Sequence, residues 1–88
     1  MPSLSHHIAD RCAFKKIWSQ ESPQVKVLAC HHLGYDQFDT LRDCKEWVCS
    51  IGGNGFNARG QSCIAKKCLG EVAKLTDHHA AFDVYVRI

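Results

Sequence analysis

Long apolar runs are missing from this sequence, and no segment approaches the roughly 20 residues that a membrane-crossing helix needs. The stretch from Met1 to Arg11 also lacks the apolar core of a secretion signal, so the chain reads as soluble. The mature part of a secreted precursor with a starting Met would read the same way, which leaves the redox compartment open. Net charge is only +2, too little to announce a nucleic-acid binder by itself. There is no C-x2-C, so the ordinary C2H2, ribbon and RING spacings are excluded. Neither H-E-x-x-H nor the deaminase pairing of H-x-E with P-C-x-x-C occurs, and no P-loop or dinucleotide fingerprint accompanies the glycines. These absences argue against an enzyme.

What the 88 residues do contain is six cysteines, at 12, 30, 44, 49, 63 and 68, and six histidines in three adjacent pairs, His6-His7, His31-His32 and His78-His79. A chain this short obtains little net stability from its core, so the cysteines are expected to supply the rest, as disulfides or as metal ligands. Disulfide frameworks have no use for histidines, whereas imidazole and thiolate are the preferred ligands of zinc. Zinc is therefore the first expectation, with two or three Zn2+ ions held by Cys12, Cys30, His31, His32, Cys44, Cys49, Cys63, Cys68, His78 and His79. Three disulfides are the alternative.

Residues 12–18 and 25–30 read as two short strands joined through Ser22-Pro23 as a hairpin. A helix is expected from Asp36 or Asp39 to about Ile51, with Phe38, Leu41, Val48 and Ile51 on one stripe and Gly52-Gly53 as its stop. The glycine-rich run from Gly52 to Gly60 reads as an exposed loop. Ser62 then caps a second helix, Cys63 to about Leu75, with Ile64, Cys68, Val72 and Leu75 on one face and Lys66, Lys67 and Lys74 on the other. The C-terminus alternates Phe82, Val84, Val86 and Ile88 with Asp83, Tyr85 and Arg87, as a half-buried strand does. The expected fold is one small α+β domain over 1–88, zinc-stabilised and irregular, with short strands and two helices.

From Cys30 onward the cysteines repeat as C-x13-C-x4-C-x13-C-x4-C, a period of 19 residues that suggests equivalent roles for Cys44-Cys49 and Cys63-Cys68. On a continuous helix two residues five apart differ by about 140° around the axis, so neither pair chelates one metal well. Ligands drawn from distant parts of the chain, interleaved, fit better than independent fingers. This pattern of Cys12, Cys30-His31-His32, Cys44, Cys49, Cys63, Cys68 and His78-His79 on a short, mildly basic chain resembles the AvrP family of rust-fungus effectors. The resemblance implies secretion by a pathogen, interleaved zinc binding, action inside a host cell and its nucleus, and recognition by a plant resistance protein.

Residues 11–32 and 59–74 each net +3, and Lys15, Lys16, Lys66 and Lys67 are the candidate contacts to nucleic acid. Trp18, Trp47, Phe56 and Tyr85 are candidates for stacking, although the two tryptophans fit core packing better in so small a domain. Lysines on the outer face of an amphipathic helix are ordinarily solvated, so a protein partner, a host protein or immune receptor, is expected ahead of nucleic acid. The expected function is a monomeric, non-catalytic structural-zinc binding module with no membrane role. The alternative is a disulfide-stapled secreted module such as a protease inhibitor, toxin or apoplastic effector.

Overall fold

The computed structural model describes residues 12–70 and 74–88. Seven strands and one helix run in the order β1 (Phe14–Trp18), β2 (Lys26–Leu28), β3 (His31–Gln37), α1 (Leu41–Ser50), β4 (Gly55–Arg59), β5 (Ser62–Lys67), β6 (Leu75–Asp77) and β7 (Asp83–Arg87). Five strands form an antiparallel sheet in the order β1-β7-β4-β5-β3, and β2 pairs with β6 as a separate antiparallel ribbon. The expected α+β fold with two helices is thus corrected to a β-rich fold with one helix. The strands foreseen at 12–18 and 25–30 exist, but they do not form a hairpin, because β1 pairs with β7 and β2 with β6.

The helix is capped by Thr40, one residue after Asp39 and in place of the expected Asp36 or Asp39. Thr40 is extended (φ −129°, ψ 151°), and its Oγ1 accepts from the Asp43 N–H at 3.2 Å, which satisfies one of the free donors of the first turn. At the other end Gly52 has φ +84°, its N–H donates to the Cys49 carbonyl, and the Gly53 N–H donates to that of Val48 at 2.8 Å. That pair of bonds is a Schellman stop, which needs a residue tolerant of positive φ. The buried stripe is Cys44 and Val48, with Trp47 beside it, whereas Leu41 and Ile51 are 40% and 39% exposed.

The segment 63–75 is not a helix. Ser62–Lys67 turns back on β4 through the two-residue turn Gly60-Gln61, with Arg59 opposite Ser62. Nor is 52–60 an exposed loop, since Gly55–Arg59 is the central strand of the sheet and among its most buried. Gly55 is required there, because a Cβ would collide with the Leu28 side chain lying across it.

Burial on both sheet faces explains these differences. On one side α1 covers Phe14, Phe56, Ala65 and Tyr85, with Phe56 stacked on Tyr85 at 4.7 Å and Phe14 meeting Phe56 edge-on at 5.1 Å. On the other side the β2–β6 ribbon covers β4 and β7, where Leu28 packs with Val84 and Cys68. Val84 and Tyr85 are therefore both buried although adjacent, and the single-sided alternation expected for 82–88 does not hold. Both edge strands carry an irregularity, at Ile17 in β1 and Leu33 in β3, which discourages further strand pairing.

The ribbon crosses the sheet without joining its ladder, so the backbone of Leu28 needs another partner. Asn57, 2% exposed in the middle of β4, supplies it: its Oδ1 accepts the Leu28 N–H at 2.8 Å and its Nδ2 donates to the Leu28 carbonyl at 3.4 Å. Asn54 does the same for Cys68, accepting its N–H at 2.6 Å and donating to its carbonyl at 2.7 Å. Replacing Asn57 by Ala strands a donor and an acceptor in the interior, and the expected loss is about 2 to 4 kcal/mol in denaturant unfolding. Asn57→Asp keeps the acceptor but buries a charge, so its deficit should shrink as pH falls and the introduced carboxyl takes up a proton.

Candidate functional site

All six cysteines lie in disulfides, Cys12–Cys49, Cys30–Cys68 and Cys44–Cys63, with Cα separations of 5.9, 4.9 and 5.9 Å. These separations are ordinary for bridged pairs. A sulfur bound to sulfur is no thiolate ligand, and among the described residues no three His, Cys, Asp or Glu side chains converge on a point where a metal ion would sit. The expectation of Zn2+ at Cys12, Cys30, His31, His32, Cys44, Cys49, Cys63, Cys68, His78 and His79 is overturned, and with it the structural-zinc function. His6 and His7 lie outside the described residues.

The bridges do draw on distant parts of the chain. The angular separation of Cys44 and Cys49 around α1 sends Cys44 to β5 and Cys49 to the chain ahead of β1. Cys44-Cys49 and Cys63-Cys68 are not equivalent pairs, because Cys44 bonds to Cys63 itself. Cys30 and Cys68 extend the β3–β5 register by one step beyond His31 opposite Lys67.

Histidine adjacency to Cys30 has no ligand meaning in this geometry. His31 and His32 continue along β3, facing Lys67 and Lys66 across the ladder, and both are exposed. His78 and His79 stack on each other at 4.2 Å, and His78 Nδ1 accepts the Ala80 N–H at 3.0 Å.

The candidate lysines divide between the two sheet faces. Lys15 and Lys66 share one row, Lys15–Val86–Gly55–Lys66–His32, on the ribbon side. Lys16 lies on the helix side, where its Nζ is 3.5 Å from Asp83 and 5.8 Å from the centre of the Tyr85 ring. Tyr85, and after it the Asp83 carboxylate, hold the Lys16 ammonium above its ordinary pKa. Among the proposed stacking residues, Phe56 and Tyr85 are buried in the core. Trp47 packs on Phe38 at 5.4 Å, and Trp18 donates to the Gln24 carbonyl at 3.2 Å.

One surface was not visible in the sequence. The ribbon covers β4 and β7 but leaves the outer half of that face open, where Tyr35 pairs across the ladder with Ile64, and Gln37 with Ser62. Tyr35 is 54% exposed; its hydroxyl is 3.3 Å from Ser62 Oγ and accepts from Gln37 Nε2 at 3.0 Å. With Lys66, His32 and Arg59 in the neighbouring rows, none of the register positions on this face carries a carboxylate. Strand alternation around Tyr35 was the signal that could have located it. Compared with protein-family models, with curated proteins and with solved structures, the chain matches none.

Hydrogen bonds from Ser62 and then Gln37 hold the Tyr35 phenol below its ordinary value near 10. An ultraviolet titration should therefore show a phenol ionising early, absent in Tyr35→Phe and moved upward in Ser62→Ala. The sign follows for stability: a depressed acid favours the fold increasingly as pH rises through its folded pKa, and that gain is lost as pH falls through it.

Proposed function

We propose that this chain is a disulfide-stapled secreted module that acts by binding another macromolecule and not by catalysis. The observation that carries the reading is the complete use of six cysteines in three bridges that tie α1 to β1 and β5 and close the end of the β3–β5 ladder. Three disulfides in so short a chain are consistent with a protein exported to an oxidising environment. No thiol remains to serve as a Cys nucleophile. Among the described residues no helix is long and apolar enough to cross a membrane.

The partner in this reading is a protein met by a monomer, and the open half of the ribbon-side face is the surface offered to it. Tyr35 is its anchor, a large amphipathic side chain already held by Ser62 and Gln37, of the kind that binding hot spots favour. A protease inhibitor, a toxin or an apoplastic effector would each act through an exposed binding surface. An effector role of the kind implied by the likeness to the AvrP family remains a proposal, without zinc, and the implied nuclear site of action has no support in a bridged, thiol-free chain.

The purified protein is expected to show the mass of a chain lacking six hydrogens, to label with no alkylating reagent until reduced, and to keep its circular dichroism in strong chelator. Reductant should abolish the dichroism and partner binding together. Bound zinc at one equivalent or more, or loss of structure on chelation, would sink the reading.

A further inference from the structure

Lys16 is paired with Asp83, Lys26 with Asp77 at 3.0 Å, and Arg42 with Glu46 at 3.3 Å. Lys15, Lys66, Lys67 and Lys74 have no carboxylate partner among the described residues. Those four gather at the end of the sheet closed by Cys30–Cys68. Lys67, Lys74 and His31 line an open groove of about 180 Å³ along Cys30, and Lys15 lines a second of about 450 Å³ along Cys68. The Asn54 carboxamide fixes the Cys68 backbone between them, and Lys66 faces His32 on the adjoining row.

We infer that this end of the molecule binds an acidic polysaccharide, its carboxylate or sulfate groups seated along the two grooves. Charge complementarity carries the inference, since three unpaired ammonium groups line the grooves, that of Lys66 lies on the adjoining row, and no described Asp or Glu side chain lines either groove. Chain chemistry narrows the occupant. The described lining holds no Phe, Tyr or Trp side chain on which a base would stack. The proposal rests on the secreted reading only for the class of polymer met outside the cell.

The test titrates the oxidised protein at low salt with polygalacturonate, heparin, dextran and duplex and single-stranded DNA, its disulfide mass being measured on the same sample. Binding to polygalacturonate or heparin is expected, weakening as salt rises, with Lys67→Glu/Lys74→Glu weakening it by about tenfold or more. Arg42→Glu/Arg59→Glu makes the same change in net charge away from the grooves and should leave the affinity within about twofold of the unaltered protein, a contrast that a mere net-charge effect would erase. Both pairs of side chains are exposed, and unchanged circular dichroism confirms folding. The proposal is overturned by equal losses in the two double variants, by no binding to either acidic polysaccharide, by equal binding to dextran, or by DNA of either form binding as tightly. Any of these in a sample of correct oxidised mass leaves the secreted-module reading standing, whereas free thiols in that sample would remove the reading itself.

Discussion

The carboxamide of Asn57 carries a disproportionate share of this architecture. A five-stranded sheet with α1 on one face has a second face to cover, and the chain has only the three-residue strands β2 and β6 for the purpose. A ribbon that short crosses the sheet with backbone groups at Leu28 turned inward, away from water and away from any ladder. Asn57 replaces the missing strand partner with a side chain that donates and accepts at once, and no described buried side-chain nitrogen or oxygen is left without a partner. Gly55, two residues earlier on the same face, leaves room for the Leu28 side chain. Bond and clearance together set how closely the ribbon lies on β4.

Disulfides answer the next constraint, that so small a core cannot hold three layers by burial alone. The bridges close loops of 37, 38 and 19 residues, and in the chain-entropy account each such loop removes about 3 to 4 kcal/mol of freedom from the unfolded chain. Their placement matters as much as their number. Two hold the helix, Cys44 to β5 and Cys49 to the chain ahead of β1, and the third holds the chain entering β3 to the chain leaving β5. Metal would have had to gather four ligands at one point, whereas each bridge needs only two, which suits sulfurs distributed over separate layers.

Much of the local structure was legible, and the layering was not. The helix over 41–50 announced itself through its Gly52-Gly53 stop, although its cap is Thr40 and Leu41 and Ile51 of its expected stripe are exposed, and the strands at 14–18, 26–28 and 83–87 through their composition. Strand β5 was misread because Ile64, Cys68, Val72 and Leu75 fit a helical period, while the alternation of Cys63 and Ala65 with Ser62, Ile64 and Lys66 spans too few residues to outweigh it. Glycine density hid β4, since Gly55 and Gly60 looked like loop markers when one permits close approach and the other makes a turn. The interleaving of the cysteines was readable from the 140° argument, but their chemistry was not. The doublet after Cys30 suggested ligands, yet strand alternation turns His31 and His32 to opposite faces.

The unpaired lysines raise a question that stability does not answer. Lys67 opposite His31 and Lys66 opposite His32 are cross-strand neighbours, a position at which oppositely charged or apolar partners would favour the sheet and these combinations do not. Elsewhere on the molecule lysines meet Asp83 or Asp77, or lie over the rings of Tyr85 and Trp18. The exceptions therefore concentrate around the Cys30–Cys68 bridge and the Asn54 clamp. A cationic surface built on a mobile loop would give up ordering entropy each time it met a polyanion. Built on a bridged ladder end, it holds its charges in place beforehand, and that fixed spacing is what distinguishes a site from scattered solvated lysines.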